Sequence, residues 1–263
     1  MLGAMIGDIV GSVYEFNNIK TMDFPLWHKD CIFTDDTIMT AAVAKALMAS
    51  DGLSQRDIKK SLIQEMRYFG RKYPNAGYGA RFRAWLDSEQ PLAYNSWGNG
   101  SAMRVSPVGW LYGTLDETLT VAKLSAEVTH NHPQGIAGAQ SVAAAIFLLR
   151  NGKTKDEVRN YIRGVFNYDF RQSIEDIRPN YTFNESCQGS VPQAMTAFFE
   201  ATDFEDCLRK AISLGGDSDT IAAIACSIAE AHYEIPAAII TEALKRLDQE
   251  ILVVYQEFLR RKR

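Results

Sequence analysis

The sequence predicts an all-α protein, and three observations support this fold class. Apolar residues recur at spacings of three and four along much of the chain, as they do in amphipathic helices. Residues that cap helix N-termini precede several of these apolar segments. No segment of strand length alternates convincingly between apolar and polar side chains. Because no Pro/Ser-rich linker divides the sequence, we expect residues 1–263 to form a single domain.

The first helices along the chain are predicted from their caps. A Thr-Asp-Asp-Thr motif at residues 34–37 opens an Ala-rich helix over residues 37–49. Ser54 and Asp57 form a capping box ahead of the next helix. The apolar face of that helix contains Ile58, Leu62, Met66 and Phe69.

Similar signals predict the later helices. We expect a helix over residues 116–128, one from Pro133 to about Arg150, one capped by Thr154 and Glu157, one from Asp203 toward Leu214, and a long amphipathic helix after Pro236. Two long loops, residues 73–104 and 177–192, interrupt the helical periodicity. Loops of this length in a compact domain are often functional.

Two acidic motifs near opposite ends of the chain carry the clearest functional signal. The first contains Thr34, Asp35 and Asp36, and the second, behind a Gly-Gly pair, contains Asp217, Asp219 and Thr220. Adjacent carboxylates repel each other and are costly to dehydrate, so their burial requires a compensating cation. Either motif alone is equally compatible with a helix N-cap in which the helix dipole favours acids. Because there are two such motifs, we expect the fold to bring them together around Mg, Ca or Mn, the ions that prefer oxygen ligands.

The turn Gly98-Asn99-Gly100-Ser101 is a second candidate feature. Such a turn exposes backbone N–H groups that can bind phosphate oxygens, although most turns of this composition have no ligand. His130 lies just before a predicted helix, where it can contact a ligand ring, and His132 is placed as a helix cap. No Cys or third His accompanies this pair, so the sequence does not support a zinc site.

Composition argues against several other functions. The net charge of −4 argues against nonspecific nucleic-acid binding, and we interpret the basic residues 260–263 as a solvated tail. No apolar run approaches the roughly 20 residues of a membrane helix, and the N-terminus lacks the basic leader of a signal peptide. The four cysteines form no CxxC pair, so we expect reduced thiols and a cytoplasmic location.

Taken together, the motifs resemble those of the ADP-ribosylglycohydrolases, the family of the dinitrogenase-reductase-activating glycohydrolases and ADP-ribosylhydrolases. The resemblance covers nearly the whole chain and rests on five motifs in the expected order, at residues 7–15, 33–37, 98–104, 129–133 and 215–220. It implies an orthogonal helical bundle with a binuclear Mg or Mn centre, whose ligands are Thr34, Asp35, Asp36, Asp217, Asp219 and Thr220. It also implies that Gly98, Asn99, Gly100 and Ser101 bind ribose and phosphate, that His130 lies toward the adenosine, and that Glu15 is a mobile acid near the metals.

The resemblance further implies a reaction. A member of this family hydrolyses the ribosyl C1″ bond of an ADP-ribosylated protein or small conjugate and releases ADP-ribose. The bond breaks with oxocarbenium character, and the catalytic acids would be Glu15, Asp35, Asp36 and Asp217. The sequence leaves open which of them is the general base, and whether the cleaved linkage is to arginine, serine, nucleic acid or an O-acyl group.

Further expectations concern the partners of the protein, an alternative function and helix packing. We expect a monomer without a membrane partner, and nucleic acid as a partner only where it is itself ADP-ribosylated. The alternative is a family member that binds ADP-ribose, or has a structural role, without turnover. One departure from the family concerns packing, because Cys226 and Glu230 stand where glycines usually follow the second acidic motif.

Overall fold

The computed structural model describes residues 1–262, whose regular structure consists of fifteen helices. These are α1 (Leu2–Gly11), α2 (Asp35–Ala49), α3 (Gln55–Lys72), α4 (Ala80–Asp87), α5 (Gly100–Met103), α6 (Ser106–Leu111), α7 (Leu115–Glu127), α8 (Pro133–Arg150), α9 (Lys155–Phe166), α10 (Ile174–Ile177), α11 (Cys187–Glu200), α12 (Phe204–Ser213), α13 (Ser218–Ala229), α14 (Ala237–Leu244) and α15 (Gln249–Arg261). The described residues contain no β-strand, and Gly98 forms an isolated bridge with Ser186. The prediction of an all-α fold is confirmed.

Several predicted helices begin at the residues that the sequence indicates. Thr34 is the N-cap of α2, and Asp203 is the N-cap of α12. Thr154 and Glu157 form a complete capping box at α9. His132 caps α8, where its Nδ1 accepts a hydrogen bond from the backbone N–H of Gln134 at 3.2 Å. These caps satisfy backbone donors that a helix leaves unpaired in its first turn.

The prediction of one long helix after Pro236 is wrong, because two helices follow it. α14 ends at Leu244, and α15 starts after Asp248. The Asp248 carboxylate accepts a hydrogen bond from the backbone N–H of Ile251 at 3.0 Å, which is an N-cap contact. The acid therefore starts a second helix, although the apolar periodicity continues through it.

The two predicted loops also contain helices that the sequence analysis missed. Within residues 73–104, the last turn of α4 contains the Leu86 carbonyl, to which Arg67 and Arg71 of α3 donate hydrogen bonds. Within residues 177–192, α11 begins at Cys187 and includes Pro192 in its second turn. Proline removes one helical hydrogen bond, but the Ser186 cap and the burial of this helix are sufficient to keep it continuous.

Helices α1 and α13 form the centre of the fold. Every residue of both helices is buried, as expected for helices that are apolar on nearly all sides. α2, α8, α11 and α12 pack around this pair. This arrangement places the C-terminal end of α1 next to the N-terminal ends of α2 and α13, where the two acidic motifs lie.

Two expectations about location and redox state relate to the whole fold. No helix between Leu2 and Arg261 is long and apolar enough to cross a lipid bilayer. All four cysteines are buried and free, and no disulfide links them.

Candidate active site

Three glycines of α1 allow its backbone to touch that of α13. A Cβ atom at Gly3 would lie 2.1 Å from the Cys226 carbonyl oxygen, and one at Gly7 would lie 2.3 Å from the Ala222 carbonyl. A Cβ atom at Gly11 would lie 2.4 Å from the Asp219 Cα atom. Only glycine permits such contact along one face, at intervals of four residues. This contact fixes the C-terminal end of α1 against the second acidic motif.

The same contact explains how the helices pack closely although Cys226 and Glu230 stand where the family usually has glycines. The glycines that permit the close approach belong to α1, so α13 does not require glycines of its own. Glu230 has a defined role at this interface, because its carboxylate accepts a hydrogen bond from the backbone N–H of Gly3 at 2.7 Å. It thereby satisfies a free donor at the N-terminal end of α1.

Asp8 on α1 holds the first acidic motif in place. Its carboxylate accepts hydrogen bonds from the Thr34 hydroxyl at 2.6 Å, the Thr34 N–H at 2.9 Å and the Thr37 N–H at 3.0 Å. Burial raises the pKa of Asp8, and these hydrogen bonds oppose that rise. Asp8 was not among the predicted site residues, although an acid inside an apolar helix is a signal of this kind of role.

Carboxylates from both acidic motifs meet at two clusters. Oxygen atoms of Asp8, Asp36 and Asp219 lie within 4.8 Å of one another, and so do those of Glu15, Asp217 and Asp219. Asp219 belongs to both clusters, which are therefore adjacent. The Thr220 hydroxyl donates to Asp36 at 2.9 Å and links the two motifs directly. The predicted convergence of the motifs is thus present in the fold.

The clustered acids repel one another in a buried environment. Burial, together with the charges of Asp217 and Asp8, raises the pKa of Glu15 to about 7. Burial and neighbouring acids raise the pKa values of Asp36 and Asp219 well above their usual range. The strongest charge effects on these two groups come from other acids rather than from a cation. A buried set of hard oxygen donors with excess negative charge fits a divalent cation such as Mg or Mn.

The remaining predicted ligands have different surroundings. The Thr34 hydroxyl bonds to Asp8, as described above. Asp35 lies outside both three-residue clusters, beside Gly77, where a Cβ atom would lie 3.3 Å from its Oδ1. Burial and the charges of Asp8, Asp217 and Glu15 nevertheless raise the pKa of Asp35 to about 8. The charges of the clustered acids therefore affect the pKa of Asp35, although Asp35 belongs to neither cluster.

The turn at residues 98–101 connects the acid clusters with His130. Asn99 donates its side-chain amide to Asp217 at 2.7 Å and to the Ser190 hydroxyl at 3.0 Å. The buried Ser101 hydroxyl donates to the Gly135 carbonyl at 2.7 Å, so it joins the turn to α8. His130 is buried beside the turn. Its Nε2 lies about 3.2 Å from the point where a Cβ atom at Gly100 would be.

Asn18 is a further residue that the sequence analysis missed. Its side chain bonds to both backbone groups of Gly216, at 2.7 Å to the N–H and 3.0 Å to the carbonyl, and to the Glu15 carbonyl at 2.8 Å. It therefore joins the segment after α1 to the Gly-Gly pair ahead of the second motif. Both glycines have positive φ, 67° and 71°, a conformation that disfavours other residues. No local pattern in the sequence distinguishes Asn18 from an ordinary loop asparagine.

Two cavities lie away from the acid clusters. They have volumes of about 480 and 750 Å³ and lie against α3. Their lining residues include basic side chains such as Lys59 and Arg67, but none of the clustered acids. We place the candidate site at the acid clusters, because convergent groups with perturbed pKa values are the stronger functional signal.

Comparison with known proteins identifies the family of the chain. A family model described as ADP-ribosylglycohydrolase matches residues 1–262. The chain belongs to the ADP-ribosylglycohydrolase family. Our identification of the family from five sequence motifs is thereby confirmed.

Relatives within the ADP-ribosylglycohydrolase family span most of the chain. ADP-ribosylhydrolase ARH3 of Homo sapiens is 26% identical, over 89% of this chain and 84% of that protein. The ADP-ribosyl-dinitrogen reductase glycohydrolase of Rhodospirillum rubrum is 24% identical, over 95% of this chain and 90% of that protein. The solved structure of an ADP-ribosylglycohydrolase-related protein complex matches with a TM-score of 0.72 and 23% identity, over 98% of this chain and 96% of that chain. This match shows that the fold is shared.

Proposed function

We propose that this member of the family is a metal-dependent hydrolase that cleaves the ribosyl C1″ bond of an ADP-ribosylated substrate and releases ADP-ribose. The observation that carries the proposal is the pair of carboxylate clusters that share Asp219 and in which every acid except Glu15 is buried. Family membership supports the glycohydrolase class. The names of the two relatives support ADP-ribosyl groups as the substrate class.

The residues present fit two divalent cations. Asp36, Asp217 and Asp219 would hold the ions directly, with Thr34, Asp35 and Thr220 completing the set that the motifs indicate. Asp8 already accepts three hydrogen bonds, so it would orient Thr34 and the start of α2. When bound, two Mg or Mn ions would supply the positive charge that offsets the carboxylates and activates water.

Residues of the chain would perform the proton transfer. Hydrolysis breaks the bond from C1″ to the leaving group, joins the water oxygen to C1″ and gives a proton to the leaving atom. Glu15 is suited to accept the proton of the water, because it is half-buried and its pKa of about 7 is close to the operating pH. Asp35 is the second candidate, since it is also partly exposed and has a pKa of about 8.

Other residues would bind the substrate beside the acids. The turn at residues 98–101 would offer backbone N–H groups to phosphate oxygens. Asn99 would hold Asp217 in a fixed position through their 2.7 Å hydrogen bond. The His130 ring, whose Nδ1 lies 2.7 Å from the Thr129 hydroxyl oxygen, would contact the ligand beside the turn.

A release assay tests the proposed function. The purified protein is incubated with ADP-ribose attached to arginine, serine, a nucleic-acid end or an acetyl group, in Mg or Mn and in excess chelator. We expect metal-dependent release from at least one linkage. Full activity in chelator would refute the metal centre. Binding of ADP-ribose without release from any linkage would favour the non-enzymatic alternative.

A matched pair of variants extends this test to the clusters. Asp217→Asn should reduce kcat by about 10²–10³, the loss typical of removing one key electrostatic group. Asp169→Asn is the control, because Asp169 is an exposed acid that pairs with Arg171 on the surface. Equal activity of the two variants would place catalysis elsewhere on the molecule.

A further inference from the structure

Arg104, Thr129 and His130 form a buried chain of hydrogen bonds next to the turn at residues 98–101. Arg104 Nη2 donates to Thr129 Oγ1 at 2.7 Å, and Thr129 Oγ1 lies 2.7 Å from His130 Nδ1. The three residues are 1%, 0% and 6% exposed. Since each is more than nine-tenths buried, a hydrogen-bond donor left without an acceptor is costly, and Arg104 Nε is already without one among residues 1–262.

The donor capacity of the chain determines where the imidazole proton resides. A guanidinium group only donates, so Thr129 Oγ1 accepts from Arg104 and its own proton requires a different acceptor. Among residues 1–262, the acceptor that lies within reach of this hydroxyl is His130 Nδ1. If Nδ1 carried the ring proton, the Thr129 hydroxyl proton would be buried without a partner, which is costly. Nδ1 is therefore the acceptor, and the ring proton resides on Nε2.

The Nε2 edge of the ring faces the turn. A Cβ atom at position 100 would lie 3.2 Å from Nε2, and one at position 98 would lie 3.4 Å away. A side chain at either position would therefore crowd Nε2, and glycine at both positions leaves this edge of the ring free of Cβ atoms. Burial, together with the positive charges of Arg104 and Arg81, lowers the pKa of His130 well below its usual value. The ring is thus neutral near pH 7 and carries a single proton.

We propose that Arg104 and Thr129 are positioning residues that fix His130 as the Nε2–H tautomer, so that the ring presents one N–H donor to a ligand oxygen at the turn of residues 98–101. The inference rests on the proposed function only for the identity of that ligand, which would be ADP-ribose. The acceptor is a phosphate or ribose oxygen of that molecule. The arrangement selects for an acceptor at this position, because a ligand group that only donates would face a second donor.

Nitrogen NMR of the full chain tests the tautomer directly. The sequence contains four histidines, so long-range ¹H–¹⁵N correlation spectra at neutral pH separate the rings, and His130→Gln assigns the signal. We expect a protonated Nε2 and an unprotonated Nδ1, and a shift of Nε2 when ADP-ribose is added. A ring protonated on Nδ1, a mixture of tautomers, or an Nε2 signal that does not respond to bound ADP-ribose would overturn the proposal.

A pair of substitutions tests the role of the chain. Thr129→Val keeps the shape of the side chain and removes its hydroxyl, whereas Thr129→Ser keeps the hydroxyl. We expect the valine variant to lose the single tautomer and to bind ADP-ribose about 3- to 10-fold more weakly, as for the loss of one hydrogen bond. The serine variant should behave as the parent protein, and melting temperatures confirm that both variants fold. A valine variant that retains the Nε2–H tautomer contradicts the positioning role.

These measurements separate this inference from the proposed function. A protein with the expected tautomer and an Nε2 signal that responds to ADP-ribose, but no hydrolysis of any linkage, would contradict the hydrolase proposal and support the inference. An active hydrolase whose His130 carries its proton on Nδ1 would support the hydrolase proposal and contradict the inference.

Discussion

Replacement of Gly7 by alanine tests the helix contact on which the candidate site depends. A Cβ atom at this position would lie 2.3 Å from both carbonyl atoms of Ala222 and 2.5 Å from the backbone nitrogen of Ala223. Ordinary contacts between carbon atoms are about 3.5–4.0 Å, so α1 and α13 have to separate by about 1 Å or more. No change of rotamer relieves the overlap, because the obstructing atoms belong to the backbone.

The size of the effect follows from two opposing contributions. Overpacking of a core costs about 1–3 kcal/mol, and backbone overlap belongs to the upper end of that range. Alanine in a helix gains about 1 kcal/mol over glycine, so we expect a net loss of about 2 kcal/mol. For a chain of this size, that corresponds to a decrease in Tm of about 4–8 °C.

The matched control is Gly164→Ala in α9. A Cβ atom at Gly164 has no neighbouring atom within 4 Å, so the helix gains propensity without a clash. We expect this variant to gain about 0.5–1 kcal/mol and to melt a few degrees higher than the parent protein.

Calorimetry with and without Mn connects this helix contact to the site. In Gly7→Ala, α1 carries Asp8 away from Asp219, so the increase in Tm on addition of Mn should be smaller than in the parent protein and in Gly164→Ala. If Gly7→Ala melts as high as the control and responds fully to Mn, the backbone contact between α1 and α13 is not what holds the acids together.

Three further predictions concern the acids and their partners. Glu15→Gln should lower kcat by about 10²–10⁴ and leave ADP-ribose affinity nearly intact, whereas an unchanged kcat would shift the base role to Asp35. Asn99→Ala should weaken Mn binding about 10-fold or more, as for other groups that orient metal ligands, and equal Mn titrations of the variant and parent protein would contradict this. In chelator, the raised pKa values of Glu15 and Asp35 (about 7 and 8) mean that the folded state holds protons that the unfolded state loses above about pH 4. These acids therefore destabilise the metal-free protein increasingly from about pH 4 to pH 8. His130, whose pKa is lowered, makes stability rise with pH near pH 6, but it does so equally in the metal-free and the Mn-bound protein. The increase in Tm caused by Mn should therefore be larger at pH 8 than at pH 5. A smaller increase at pH 8 would contradict the assignment.

Local signals in the sequence were sufficient to predict parts of the fold. The Thr34 cap and the Ala-rich segment behind it predicted α2, and Pro133 predicted the start of α8. These predictions succeed because a helix end is determined by a few neighbouring residues. The single helix expected after Pro236 is wrong for the same reason, because the local cap made by Asp248 overrides the longer periodicity.

The site could be predicted only in part, because its geometry depends on long-range contacts. Two similar acidic motifs predicted that Asp36 and Asp219 lie together, and the structure places them in one cluster. The roles of Asp8 and Asn18 could not be read from spacing, since their partners lie 26 and 198 positions away. The glycines of α1 recur at intervals of four, but no close helix contact was predicted from them, and nothing in their spacing identifies α13 as the partner.

The positions of the acids give the α1–α13 contact a role in the proposed metal binding as well as in packing. Both acidic motifs lie at helix N-termini, where the helix dipole offsets part of a negative charge. That offset is incomplete, because the pKa values of Asp36 and Asp219 remain well above their usual range. The remaining repulsion disfavours the close approach of the helix ends, and in the proposed function an ion that binds only the folded state would offset it by mass action. A flexible interface would relieve the repulsion by moving the acids apart, and the arrangement of ligands would be lost. The backbone contact at Gly7 and Gly11 opposes that movement and keeps the carboxylates close together for the proposed ion.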